Sequence, residues 1–263
     1  MNILDRIVSK KKEIIAESKQ RISQSELRSL PYYHASTCSL RKNLIETPRP
    51  VGIIAEMKKA SPSKGVLMED YQPTVLFKKY KEAKVEGISI LTDQEFFQGS
   101  INHLLQIREL TETIPLLRKD FIIDPYQVDE AKGYGASVIL LIAAILEPSQ
   151  YQELYLQAKE LGLEVLTEVH DQDDIQKVLK AFTPEMIGIN NRDLTTFNTS
   201  IQHTHQLLRQ LPKETLLISE SGIHSHEQVE TLSNLGIKGV LVGERIVKAA
   251  NQVEAIYELV EKR

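Results

Sequence analysis

Five apolar runs in the chain stop abruptly at charged or amide side chains. Val51-Gly-Ile-Ile-Ala runs into Glu56 and Lys58, and Ile114-Pro-Leu-Leu into Arg118, Lys119 and Asp120. Leu163-Glu-Val-Leu-Thr stops at Glu168, Met186-Ile-Gly-Ile at Asn190, Asn191 and Arg192, and Leu216-Leu-Ile-Ser at Glu220 and Ser221. Buried strands of a parallel sheet are near-continuous hydrophobic runs, so ionisable groups at their last positions work against packing. Lysines and carboxylates gathered in one cavity shift one another's pKa values, which separates acid from base roles near neutral pH. A solvated salt bridge explains one such residue. Five strand ends together point to proton-transfer chemistry on one face of the molecule.

A second constellation is rich in glycine. Ser219-Glu-Ser-Gly-Ile, with Ser221 and Gly222, and Val240-Leu-Val-Gly-Glu, with Gly243, place glycines directly after apolar runs. Barrels commonly build a phosphate site there from backbone N–H groups and a short helix N-terminus. Turn geometry alone accounts for either glycine taken singly. Ser61-Pro-Ser-Lys64-Gly65 is placed to fold over such a site as a cationic lid. Phe96 and Phe97 offer either an aromatic wall or ordinary loop packing. Gly133-Tyr-Gly135 lacks the third glycine of a dinucleotide fingerprint and precedes a strand, and no Walker loop occurs. The pairs His203/His205 and His224/His226 lack cysteine or acidic partners at zinc spacing and read as surface histidines, so no metal is expected.

The elements that must position these groups recur with a regular beat. Strand-like runs over 51–55, 88–92, 114–119, 137–142, 164–168, 186–190, 216–220 and 239–243 alternate with amphipathic stretches. Those over 74–83, 126–133, 148–162, 171–182 and 203–210 have helical spacing. Ser225 with Gln228 reads as a capping box, and Gly133, Gly162 and Gly236 as helix stops. Eight βα units favour a (β/α)8 barrel, the TIM-barrel architecture, over an open doubly wound sheet. In such a barrel the carboxyl ends of the strands converge on one mouth. Before it, Ile3, Leu4, Ile7, Val8, Ile14 and Ile15 trace an amphipathic helix, and a second short helix falls over 25–30. Pro48 and Pro50 lead into the first strand, giving one domain over 1–263 with an N-terminal helical extension over 1–48. The extension either packs on the barrel near its mouth or forms a dimer contact, which leaves monomer and homodimer open.

Composition bounds the partners. The 263 residues are 41% hydrophobic and 26% charged with a formal net charge of −4, so neither nucleic acid nor an anionic membrane is an expected partner. The longest uncharged apolar run, 138–146, is too short to span a bilayer. A single cysteine, Cys38, excludes an intrachain disulfide and fits a reducing compartment, so the expected location is cytoplasmic.

Six words of sequence, each at a strand end and in order, closely resemble the indole-3-glycerol phosphate synthase family. They are Ile-Ala-Glu56-Met-Lys58-Lys-Ala-Ser61-Pro-Ser63-Lys-Gly65, Leu-Thr-Asp-Gln-Glu-Phe-Phe97-Gln-Gly-Ser, Leu-Arg-Lys119-Asp120-Phe-Ile, Thr-Glu168-Val-His, Gly-Ile-Asn190-Asn-Arg192-Asp-Leu and Ser-Glu220-Ser221-Gly222-Ile. The resemblance implies a small phosphorylated substrate, 1-(o-carboxyphenylamino)-1-deoxyribulose 5-phosphate, closed to an indole with loss of carbon dioxide and water and without a cofactor. It implies Lys119 as general acid on the ribulose carbonyl, Lys58 at the substrate carboxylate and helping proton transfer during dehydration, and Glu168 as base of the dehydration. Glu56 and Asn190 would orient these groups and bind hydroxyls, and Glu220 would lie at the same mouth. Arg192, Ser221, Gly222 and Gly243 would hold phosphate or neighbouring atoms together with the Ser61 loop, and Leu140 and Phe97 would border the anthranilate ring.

One position departs from the family pattern. Many members carry serine just after the strand-eight glycine, where this chain has Glu244 and Arg245. A carboxylate aimed at phosphate would repel it, so Glu244 is expected to point outward, and Arg245 to form a surface salt bridge. A phosphoribosyl anthranilate isomerase would need a Cys/Asp pair at strand ends, whereas Cys38 precedes the barrel. A non-catalytic phosphometabolite-binding subunit has no need of both Lys119 and Glu168.

Overall fold

The structure, a computed structural model, describes residues 3–192 and 199–261. Helix α1 (Ile3–Arg21), the short α2 (Gln24–Arg28) and α3 (Leu40–Glu46) precede the first strand. Strand β1 (Gly52–Met57) leads into a hairpin of β2 (Ala60–Ser61) and β3 (Gly65–Val66), then α4 (Pro73–Glu82). The alternation continues through β4 (Gly87–Leu91), α5 (Gln94–Phe97), α6 (Ile101–Arg108), β5 (Leu116–Lys119) and α7 (Pro125–Gly133). Next come β6 (Val138–Ile142), α8 (Pro148–Glu160), β7 (Glu164–Val169), α9 (Gln172–Ala181), β8 (Met186–Asn190) and α10 (Gln202–Leu207). The last units are β9 (Leu216–Glu220), α11 (His226–Asn234), β10 (Gly239–Val242), α12 (Glu244–Val247) and α13 (Gln252–Val260). All barrel pairings are parallel, in the order β1-β10-β9-β8-β7-β6-β5-β4, and β4 closes on β1. The eightfold parallel barrel read from the sequence is the observed fold.

Side chains alternate across each strand, so every strand serves two cores. Ile54, Leu117, Leu140, Leu166, Met186, Ile218 and Leu241 face inward and fill the barrel. Ile53, Ala55, Ile88, Ile139, Val165, Ile187 and Val240 face outward and pack on the helices. Two residues further along, the inward positions become Glu56, Lys119, Glu168, Glu220 and Gly243. The same alternation that packs the interior therefore aims the chemical groups into the mouth.

The opposite end is closed by α3, which the sequence pattern did not reveal. Its Leu40 and Leu44 join the inner core, and Ser39 caps it by accepting from the Lys42 N–H. Helix α1 lies beside the mouth. Its Ile7 and Ile15 are buried, and its Lys11 sits 2.7 Å from both Asp93 and Asp120 at 4% exposure. Of the expected helix stops, Gly162 and Gly236 take left-handed φ after α8 and α11. After α7 that conformation falls to Gly135, whereas Gly133 ends the helix itself and packs against Leu27 and Leu30 of the extension.

Candidate active site

The inward groups at the mouth form one connected cluster. Lys119 Nζ lies 2.8 Å from Glu168 Oε2 and 3.4 Å from Glu220 Oε2. Asn190 Nδ2 donates to the other Glu168 oxygen at 3.2 Å, and Lys58 Nζ is hydrogen-bonded to Glu56. Two glycines, Gly188 on β8 and Gly243 just after β10, make this crowding possible, each beside a strand that carries a glutamate. A Cβ at Gly188 would collide with Glu220 Oε1, and one at Gly243 with Glu56 Oε1. Gly243 thus has a packing duty toward Glu56 that its reading as a phosphate-loop glycine did not include.

Burial and charge pull these groups apart. Desolvation disfavours the Lys119 ammonium, but Glu168, Glu220 and Glu56 outweigh it and raise its pKa, so it is fully protonated at neutral pH. Burial likewise opposes ionisation of Glu168, yet Lys119 and His170 hold its carboxyl well below the usual range. Glu220 goes the other way. Burial raises its pKa to about 7, with Lys119 opposing and the Glu168 and Glu56 charges adding to the rise. Two carboxylates sharing one lysine thus titrate differently, the pattern by which acid and base assignments separate.

The cluster sits between two adjoining cavities, one larger than the other, that share Glu56, Lys58, Lys119, Arg192 and Ser221. The larger is apolar away from the cluster, walled by Leu91, Phe97, Phe121, Leu140 and Ile142 and by Ile3, Leu4 and Ile7 of α1. Phe97 and Phe121 lie 6.1 Å apart between ring centres. The smaller cavity is polar and closed by Ser221, Gly222, Gly243, Lys64 and Arg245. Ser221 and Gly222 both adopt left-handed φ, of 68° and 74°, and Asn191 steadies this turn by donating to the Ser221 carbonyl at 3.1 Å. Arg192 donates to Ser63 Oγ of the hairpin loop at 3.0 Å, tying that loop to the end of β8.

The chain matches the family model "Indole-3-glycerol phosphate synthase" over residues 4–259. It is 43% identical over 247 residues to the indole-3-glycerol phosphate synthase of Shouchella clausii, covering 94% of this chain and 96% of that one. To the enzyme of that name from Priestia megaterium it is 43% identical over 257 residues, covering 98% and 97%. The chain belongs to the indole-3-glycerol phosphate synthase family. Membership places it among the carboxy-lyases of tryptophan biosynthesis. Among solved structures, 3-hexulose-6-phosphate synthase from Salmonella typhimurium aligns with a TM-score of 0.64 at 16% identity, covering 80% of this chain and 96% of that one. At that identity the likeness concerns the barrel fold alone.

Seen as a family member, the chain brings together every site residue expected from its sequence. Lys119, Glu168, Lys58, Glu56, Asn190 and Glu220 form the polar cluster; Ser61, Phe97, Leu140, Arg192, Ser221, Gly222 and Gly243 line the two cavities around it. Residues 193 and 194, which end the family word after Arg192, lie outside the described residues. Glu244 corrects an expectation. Its carboxylate lies against Lys64 at 2.7 Å and Lys248 at 2.9 Å, lines the polar cavity and is only 20% exposed, so it does not point outward. Burial works against its charge, but the two lysines push its pKa down to about 2. Arg245 pairs with Glu258 at 2.7 Å, as a surface salt bridge should. The lid loop is an ordered hairpin, held partly by that Lys64–Glu244 pair.

Two contributions escaped the sequence reading: the wall that α1 supplies to the apolar cavity, and His170. His170 is buried beside Glu168, and His203 contacts its backbone carbonyl, so His203 is a half-buried structural residue and not a plain surface one. Among the described residues no group of His, Cys, Asp and Glu could hold a metal ion, and no helix is long and apolar enough to cross a membrane.

Proposed function

We propose that this enzyme closes the pyrrole ring of 1-(o-carboxyphenylamino)-1-deoxyribulose 5-phosphate, releasing carbon dioxide and water to give indole-3-glycerol phosphate. One observation carries the reading. A single cleft is apolar at one end, polar and backbone-rich at the other, and has Lys119 between two carboxylates at its waist. A substrate with an aryl ring, a polyol and a terminal phosphate has the same order of parts.

The aryl ring enters between Phe97 and Leu140, and the phosphate meets the N–H groups around Ser221, Gly222 and Gly243, with Arg192 nearby. Lys119 starts protonated and gives its proton to the ribulose carbonyl oxygen as the aryl carbon attacks, so charge on that oxygen is neutralised as it forms. Lys58, oriented by Glu56, holds the substrate carboxylate, whose bonding electrons return to the ring when carbon dioxide leaves. Glu168 then removes the proton from the ring-side carbon while Lys58 protonates the hydroxyl, which departs as water, and Asn190 fixes the Glu168 orientation. Glu220, titrating near neutrality, exchanges protons with Lys119 between turnovers. Holding these groups in fixed geometry supplies much of the rate. The lone cysteine and the mild acidity fit work in the cytoplasm on a small phosphorylated substrate, without a cofactor.

The test is fluorescence detection of indoleglycerol phosphate from the carboxyphenylamino substrate. Wild-type protein should form product, and Lys119→Met should lower kcat on the order of 10²–10⁴-fold with an unchanged circular-dichroism spectrum. Near-wild-type turnover by Lys119→Met would remove Lys119 from its role.

A further inference from the structure

Past the end of β7, the inward alternation that aims Glu168 continues for one more step to His170, which is 9% exposed and lines the cleft. Its Nε2 lies 3.2 Å from Glu168 Oε1, and its Nδ1 lies 3.5 Å from Asp174 Oδ2 on α9. The same Asp174 oxygen accepts from the His170 backbone N–H at 2.9 Å, so Asp174 anchors the main chain beneath the ring, while neither ring nitrogen completes a hydrogen bond. Among the described residues, the charged and titratable groups around the imidazole are few. Glu168 faces it from β7, Asp174 from α9 and His203 from α10, with Lys119 beyond Glu168 and Arg192 further along the cleft.

We propose that His170, anchored through its main chain by Asp174, is a positioning residue whose ring faces the Glu168 carboxylate as a cation and keeps it ionised while Lys119 gives up its proton. This inference rests on the reading of Glu168 as base and Lys119 as acid. The chemistry requires such a group. In the carbonyl-protonation step Lys119 becomes neutral, and, among the described residues other than His170, Glu168 would be left buried near Glu220 with the Asn190 amide against it. A buried carboxylate in that setting picks up a proton and is no longer a base. A cation at Oε1 that takes no part in the first step prevents this. The state of the ring agrees: burial favours neutral imidazole, but Asp174 and Glu168 outweigh it and push its pKa up to about 9.

The experiment is the pH dependence of kcat for wild type, His170→Asn and His170→Gln on the carboxyphenylamino substrate, with thermal melts alongside. Asparagine keeps a donor near Asp174 but does not reach Glu168. Glutamine reaches Glu168 without charge. Losing the cation should move the acid limb of kcat toward alkaline pH by about one unit or more in both variants. The rate deficit should therefore be larger at pH 6 than at pH 8, with KM little changed. His170→Gln should recover more of kcat at pH 8 than His170→Asn. An acid limb that stays in place, or a deficit equal at all pH values and matched by a lower melting temperature, overturns the proposal. If His170→Asn does not fold, Asp174→Asn must show a smaller shift in the same direction, and an unmoved limb there counts equally against it. Glu168→Gln separates the two readings. Turnover retained by Glu168→Gln defeats the base assignment, whereas an inactive Glu168→Gln with an unmoved limb in the His170 variants defeats only this inference.

Discussion

Strand β7 carries a glutamate at each end on the same inward face, and the two have opposite fates. At the closed end, Glu164 accepts from the Ser39 hydroxyl and from the Leu40 and Arg41 N–H groups at 2.8 and 3.1 Å, anchoring the N-terminus of α3. At the mouth, Glu168 is met by Lys119, His170 and Asn190. Glu164's donors are neutral and fixed, so its charge balances the positive end of a helix and stays there. Two of Glu168's partners carry protons that can move. Glu86 on the closed side is likewise held by partners that do not exchange protons, the Ile53 N–H and the permanently charged Arg49. A carboxylate thus becomes structural or chemical according to whether its partners can change charge, not according to its strand.

The largest effect should separate these ends in rate. Glu168→Gln keeps size and hydrogen-bonding capacity but removes the proposed base, and kcat should fall on the order of 10²–10⁴-fold. Glu164→Gln, made at the other end of the same strand, should leave kcat within about a factor of two while removing a cap worth roughly 0.5–2 kcal/mol. Steady-state kinetics and urea unfolding on both proteins check the pair. Equal kinetic losses would mean the two ends are mechanically linked and would break the comparison.

Stability should separate them with opposite sign. The folded pKa of Glu220 is raised to about 7, above its unfolded value, so its contribution is fully present below the ordinary carboxylate range and lost as pH rises through 7. Wild type therefore carries a strained charge at pH 8 that Glu220→Gln lacks. The variant should be more stable than wild type at pH 8, on the order of 1–3 kcal/mol, with little difference at pH 4.5, and slower in turnover. Glu164→Gln should instead lose stability at both pH values. Unfolding curves at the two pH values decide it.

How far these ends were legible in the sequence follows from the range of each interaction. The barrel and its chemical mouth were readable because the period of two is local: Ile54 then Glu56, Leu117 then Lys119, Leu166 then Glu168, Ile218 then Glu220. The plug α3 was missed because its apolar signal is short, Leu40 and Leu44 with Ile45 exposed beside them, and Ser39 is its start mark. The duties of Gly188 and Gly243 depend on side chains from neighbouring strands, which no local pattern announces. His170 falls where strand spacing gives way to helix spacing. Its partners, two residues before and four after, belong to different periodicities.

Glu244 shows the same limit across the widest separation and gives the smallest expected effect. Its partner Lys64 is 180 residues away, so the outward direction expected from charge repulsion missed the clamp that keeps it beside the polar cavity. With its pKa near 2, Glu244 is ionised wherever the enzyme works, and an incoming phosphate must compete with it for Lys64. Glu244→Gln should therefore lower KM for the phosphorylated substrate by roughly two- to fivefold at low salt and leave kcat unchanged. Lys64 is 48% exposed, so the gain should shrink as ionic strength rises. A higher KM in the variant would instead mean that the carboxylate holds Lys64 where the phosphate needs it. Glu244 would then belong with Glu164, among the carboxylates that serve by staying bound.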